Sequence, residues 1–276
     1  LNRITMNDTI IKTKKQEMDF LRFMSKLGYD LVDLNVVETF NWGSITLDDQ
    51  KMMDKRHSWT DGGILHALRS DWTNSIVRYR KQYELEAEKI AYAGMVYKKS
   101  GTIHQMGVET FTSDIAAQQE VLSDVLAFMT EHLKKNISIA VISHNKLLKK
   151  LLTKDQMEDP MIHRLVSERN RDALSHALSK DHPVIGLMQV RPEDQLEYIA
   201  GRFPELAQEI EDLKVWEDKL RKLSIENVYI DTLVMPRQSY YRGIFIQLYQ
   251  KNETEPQASG GQYTSSSKAF GMGING

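Results

Sequence analysis

The sequence predicts an α+β protein in which strands near both ends of the chain enclose a helical block. Three observations predict it. Residues from about 29 to 111 run in short β-type segments with tight connections, residues from about 145 to 224 are polar and helical in character, and strand patterns return at Asn227. The last strands must rejoin the first sheet, so the helical block reads as an insertion at about 145–224 within one domain spanning 1–276.

The elements follow in order. "KKQEMDFLRFMSKLGYD" sets Phe20, Phe23, Met24 and Leu27 at helical spacing, with Gly28 in the place of a C-terminal cap. "YDLVDLNVVETF" is rich in β-branched residues and predicts a strand. In "HSWTDGGILHALRSDWT", Asp61-Gly62-Gly63 between two β-type segments signals a hairpin, because glycine accepts the positive φ of primed turns. "RSDWTNSIVRYRKQYELEA" reads as a strand end running into a helix, and "KIAYAGMVYKKSGTIHQMGVETFTSD" as two strands about a turn at Ser100-Gly101. Such short connections favour antiparallel pairing.

Ser113 is the expected N-cap of a helix with Leu122, Val125, Leu126, Met129 and Leu133 on one face. "ISIAVISH" is a short apolar strand before the helical block. Beyond the block, "NVYIDTLVM" and "YYRGIFIQLY" are strands, "KNETEPQASGGQYTSSSK" is a polar loop by its Gly, Ser and Pro content, and "AFGMGING" is a last strand.

Composition excludes several classes of function. A net charge of −2 gives no global attraction to nucleic acid or anionic lipid. No apolar run reaches the roughly 18 residues of a membrane span, and the N-terminal stretch lacks the apolar core of a signal peptide, so no membrane association and a cytoplasmic location are expected. With 0 cysteines there are no disulfides or thiolates, and the 8 histidines show no ligand spacing; neither a metal nor a cofactor is expected. "GMGING" has G-x-G-x-x-G spacing, but it reads as a strand with no helix expected after it to receive a pyrophosphate, so a dinucleotide loop is not expected. Trp42, Trp59, Trp72 and Trp216 are expected to pack rather than stack on bases.

One constellation could carry chemistry. Asp71 and Thr73 in "LRSDWT" lie two apart and on a strand share a face; Gln105 and Glu109 in "HQMGVE" share another, with Gly107 between them leaving the surface open. Tyr240 and Tyr241 join them from the returning strands. Carboxylates, a hydroxyl, an amide and phenols together suit a small ligand with a cationic amine and a hydrogen-bonding ring, such as an amino acid. Spacing alone favours an ordinary solvated sheet face, because alternating polar residues are what half-buried strands have.

"LRSDWT", "YAGMVYKKS", "HQMGVETF", "YYRGIFIQLY", "SGGQY" and "AFGMGING" stand in the order and approximate spacing of the core motifs of histidyl-tRNA synthetases and their paralogues. The chain resembles that family from about residue 15 to the end. The resemblance implies a class II synthetase-like antiparallel sheet flanked by helices with a helical insertion, and a histidine pocket formed by Asp71, Thr73, Gln105, Glu109, Tyr240 and Tyr241. It also makes "AFGMGING" the glycine-containing strand of the third class II motif.

The cation positions depart from the pattern. Adenylate chemistry needs cations on the phosphates, and arginine serves best because its fork binds two oxygens. Lys98 stands where synthetases have the second-motif arginine, and Ser100 where they have an acidic residue. Pro236 replaces the histidine-specific arginine, with Arg237 one residue off; Ser239 replaces an aspartate, and Gln262 an arginine. The third-motif arginine would follow Gly276, and no anticodon-binding domain is expected.

A paralogue that keeps the pocket but loses adenylation resembles the regulatory subunits of ATP phosphoribosyltransferase. That resemblance implies no catalysis of its own and a homodimer within a hetero-octamer with the short-form catalytic subunit. It further implies activation of that subunit and feedback inhibition by histidine. The alternative is an amino-acid-activating paralogue with a non-tRNA acceptor, in which Lys98, Lys99 and Arg237 do the work of arginines. A scaffold with a vestigial pocket is a third reading.

Overall fold

A computed structural model describes residues 6–40, 45, 53, 56–236, 238, 240–265 and 267–275. Trp42, Arg237, Ser239 and Gly276 lie outside them. The chain divides into two compact units: 1–136 with 256–259 and 264–276, and 137–255 with 260–263.

The first unit begins with α1 (Met6–Lys26), which ends at Gly28 with φ +82°, a conformation that side-chain-bearing residues rarely adopt. Phe20 and Met24 are fully buried on its inner face, and Phe20 meets Phe128 edge-on at 5.0 Å. Phe128 belongs to α3 (Ile115–Glu131), whose Val121, Leu122, Val125 and Met129 are also fully buried. Tyr29 donates to Asp124 Oδ2 at 2.8 Å; burial, reinforced by that carboxylate, pushes its phenol pKa up. The N-cap of α3 is Asp114, which accepts the Ala116 N–H; it displaces the expected Ser113 by one residue.

The "YDLVDLNVVETF" strand divides in two. Only β1 (Asp30–Leu31) and β2 (Val37–Phe40) are extended in a ladder, and the residues between them leave the sheet. β2, β3 (Ser58–Asp61) and β4 (Ile64–Leu68) form a three-stranded sheet in the order β2-β4-β3. Gly62 and Gly63, at φ +53° and +82°, make the hairpin turn between β3 and β4. Its inner face holds Phe40, Leu65 and Ala67. Glu38 binds the fully buried Arg56 at 3.0 Å and also Arg78, and Arg56 lies over the Phe40 ring at 5.5 Å. Trp59, expected to pack, is 44% exposed and stacks on His66.

After α2 (Trp72–Gln82), strands β5 (Lys89–Lys98) and β6 (Gly101–Thr110) pair along their whole length, and β6 pairs with β11 (Lys268–Asn275). Both pairs are antiparallel, as expected. β1 pairs with β5 in parallel, so the ladder of this unit, β1-β5-β6-β11, is mixed.

The second unit opens with β7 (Ile137–His144) and continues through α4 (Asn145–Leu151), α5 (Lys154–Glu158), α6 (Pro160–Ser167), α7 (Arg171–Ala177), α8 (Pro183–Leu187), α9 (Gln195–Arg202) and α10 (Ala207–Lys222). Strands β8 (Asn227–Ile230) and β9 (Tyr241–Gln250) follow. β7 pairs with β9 antiparallel and with β8 parallel, and α10 buries Leu213, Trp216 and Leu220 beside β7 and β8. The segment expected as a polar loop contains β10 (Ala258–Thr264), of which Gly260–Tyr263 belong to this unit. Its glycines and serines read as turn chemistry, but backbone pairing decides a strand and small residues allow close approach.

Candidate functional site

The first unit positions four of the predicted residues. Asp71 lies on no strand. With φ −160° and ψ 128° it caps α2, its Oδ1 accepting the Asn74 N–H at 2.9 Å. A short carboxylate ahead of a helical segment satisfies an otherwise orphaned donor, and that local bond wins over the β propensity of the residues that follow. Thr73 therefore sits on the first turn of α2, where its Oγ1 donates to Glu109 Oε1 at 2.6 Å.

Glu109 is fully buried on β6, opposite Gly271 of β11. A Cβ at 271 would lie 1.9 Å from Glu109 Oε2, so the carboxylate rests across the glycine. Gln105, four residues away on the same face of β6, uses Gly273 in the same way: a Cβ there would lie 2.6 Å from its Nε2. The glycines of "GMGING" thus accommodate two polar side chains of the neighbouring strand.

Gly107, between Gln105 and Glu109, does not leave an open surface. Tyr92 of β5 stands opposite it, and a Cβ at 107 would lie 2.3 Å from the phenol oxygen. Tyr92 stacks on Trp72 at 4.8 Å, and the Arg69 guanidinium lies 3.6 Å over Trp72. Arg69 donates to the carbonyls of Leu34 at 2.6 Å and Met95 at 3.1 Å; burial lowers its pKa against the opposing pull of Asp33 and Glu38. Sequence reasoning missed Arg69 and Tyr92, whose only signal was membership of the quoted motifs.

In the second unit, Tyr240 precedes β9 and Tyr241 begins it, with ring centroids 4.8 Å apart. Tyr263 of β10 meets Tyr240 edge-on at 5.8 Å, and Phe245 packs on Tyr241 at 4.9 Å. Tyr263 was hidden in the apparent loop. Among the positions expected to depart from the synthetase pattern, Lys98 ends β5, half-buried, its carbonyl 3.2 Å from His57 Nε2. Ser100 is exposed in the β5–β6 turn, Pro236 is half-buried in the segment before β9, and Gln262 lies on β10.

Two further features of the second unit lie apart from the predicted residues. A groove of about 790 Å³ is lined by Met188, Tyr229 and the ion pair Arg169–Asp231, among others. His144, buried at the end of β7, caps α4 by accepting the Lys146 N–H on Nδ1 at 3.2 Å. Burial lowers its pKa to about 4 against the opposing Asp212 and Glu209 charges. Among the described residues no three acidic or histidine side chains gather to hold a metal ion, and no helix is long and apolar enough to cross a membrane.

A mixed sheet flanked by helices, with a buried carboxylate laid over a glycine strand, is the core of a class II synthetase-type protein. Consistent with that class, residues 8–276 match the family model described as histidyl-tRNA synthetase. The "ATP phosphoribosyltransferase regulatory subunit" of Staphylococcus aureus strain Newman is 31% identical over 97% of this chain and 98% of its own; that of strain JH1 is 30% identical. Among solved structures, a regulatory subunit/histidyl-tRNA synthetase from Bacillus halodurans superposes with a TM-score of 0.77 at 20% identity, covering 100% of this chain and 79% of that one. A chain of an ATP phosphoribosyl transferase complex from Thermotoga maritima gives 0.70 at 22%, covering 95% and 96%. The chain belongs to the family of ATP phosphoribosyltransferase regulatory subunits.

Proposed function

We propose that this chain docks on the short-form catalytic subunit of ATP phosphoribosyltransferase, raises its turnover and transmits feedback inhibition by histidine. On this reading it is a homodimer within a hetero-octamer, and its own ability to form an aminoacyl adenylate is lost. It acts as a single synthetase-like core with the helical insertion at 145–224.

One observation carries the reading. The groups suited to an amino acid are preserved and built in, with Glu109 buried, bonded to Thr73 and laid over Gly271. The positions suited to ATP hold a lysine, a proline and a neutral amide at Lys98, Pro236 and Gln262. A site that keeps its carboxylates and loses its guanidinium forks can recognise an ammonium or imidazole but cannot neutralise a leaving pyrophosphate.

In this mechanism the Glu109 and Asp71 carboxylates face the cationic groups of histidine, Gln105 and the tyrosines orient it, and Thr73 holds Glu109. Inhibition requires histidine to bind two states of the complex unequally, because equal affinity shifts nothing. The test is phosphoribosyltransferase activity of the short catalytic subunit with and without this chain, titrated with histidine. Activation followed by suppression is the expected result. No effect and no co-purification would overturn it, and histidine-dependent pyrophosphate exchange would instead establish the amino-acid-activating alternative. Activation without histidine binding would leave only a scaffold.

A further inference from the structure

Position 262 has not merely lost a cation. Gln262 Oε1 accepts the Ile244 N–H at 3.0 Å, so a main-chain donor of β9 is satisfied by a side chain of β10. The amide lies flat over Gly243, where a Cβ would stand 2.2 Å from that oxygen and 3.1 Å from the Gln262 Cβ. The residues on either side of Gln262 meet the tyrosine pair. A Cβ at Gly261 would lie 3.1 Å from the Tyr241 ring and 2.3 Å from the Ile244 carbonyl, and Tyr263 packs edge-on against Tyr240. All these residues belong to the second unit.

We infer that Gln262 is a positioning residue: its amide locks β10 to the start of β9 and thereby sets Tyr240 and Tyr241 for the ligand. This rests on the histidine-binding reading above. The chemistry of the exchange is specific. Arginine has five donors and no acceptor, so a guanidinium at 262 could not take the Ile244 N–H, whereas glutamine and glutamate both offer a side-chain oxygen. The same amide that cannot neutralise a phosphate therefore supports the pocket. Restoring arginine would open the brace rather than rebuild an ATP site.

The experiment measures histidine inhibition of the reconstituted complex for wild type, Gln262→Glu, Gln262→Met, Gln262→Arg, Gly243→Ala and the Gly243→Ala/Gln262→Met double variant, with melting temperature recorded for each. Loss of the acceptor in Gln262→Met or Gln262→Arg is expected to weaken inhibition roughly tenfold, while Gln262→Glu stays within about twofold of wild type. Gly243→Ala, which displaces the amide, should weaken it as much as Gln262→Met, and the double variant should be no worse than either single. The inference is overturned if Gln262→Met inhibits like wild type, if Gln262→Glu falls with Gln262→Met, or if the two losses add. A wild-type complex that histidine does not inhibit would instead overturn the reading on which the inference rests.

Discussion

Both units use a glycine on one strand to seat a polar side chain from its neighbour, with different results. At Gly271 the seated group is the Glu109 carboxylate, held by a side-chain hydroxyl. At Gly243 it is the Gln262 amide, whose oxygen is spent on the main chain. The first arrangement buries a carboxyl group and orients it through a side-chain hydroxyl; the second ties a side-chain amide to the backbone of the neighbouring strand. A glycine on one strand can thus seat either an acid or an amide from its neighbour, and the partner that the side chain finds decides what the contact does.

The strongest way to break this comparison is Gly271→Ala. Its methyl would collide with the fully buried Glu109 carboxyl group, and overpacking together with the displacement of that group from its Thr73 hydrogen bond should destabilise the protein by about 4 kcal/mol in urea unfolding. Little change would mean that Glu109 is not confined as described.

Acid should act on the second unit. His144 has a folded pKa of about 4, below the 6.5 of the unfolded chain, so between these values the unfolded state binds the extra proton. Stability from this group is complete above about pH 6.5 and declines as pH falls toward 4, by up to about 3 kcal/mol. His144→Asn keeps a helix-capping side chain but cannot titrate, and should flatten the pH dependence of the melting temperature over that window.

Glu109→Ala should weaken inhibition of the complex by histidine about a hundredfold, because it removes a charge-assisted partner from a buried site. Thr73→Val, nearly isosteric, removes one hydrogen bond to that carboxylate and should weaken inhibition about tenfold. A larger effect for Thr73→Val than for Glu109→Ala would show that the hydroxyl meets the ligand directly rather than through Glu109.

Much of the fold was legible because its signals are local. The Asp-Gly-Gly turn, the glycine after α1, the apolar stripe of α3 and the long β5–β6 hairpin follow from residue chemistry within a few positions. Errors fell where a local rule had two answers. Asp71-Trp72-Thr73 could extend or cap a helix, and the cap won; "ASGGQYT" looked like a loop because small residues serve both turns and crowded strands. In the candidate site the residue types were readable, but Tyr92 and Tyr263 were not, since nothing local distinguishes a ring that fills the space over a glycine, as Tyr92 does, or one that packs on another tyrosine, as Tyr263 does, from one in an ordinary core.

By itself, then, the sequence determined most of the order of strands and helices, the absence of thiol chemistry, and the uncharged side chains at Pro236 and Gln262. These are properties of residue types and spacing. Only the tertiary structure decided that Glu109 meets Thr73 across 36 residues of sequence and lies over Gly271, and that Gln262 closes on Gly243. Such contacts are set by strand register and by close approach of main chains, neither of which one segment can specify before its partner is in place.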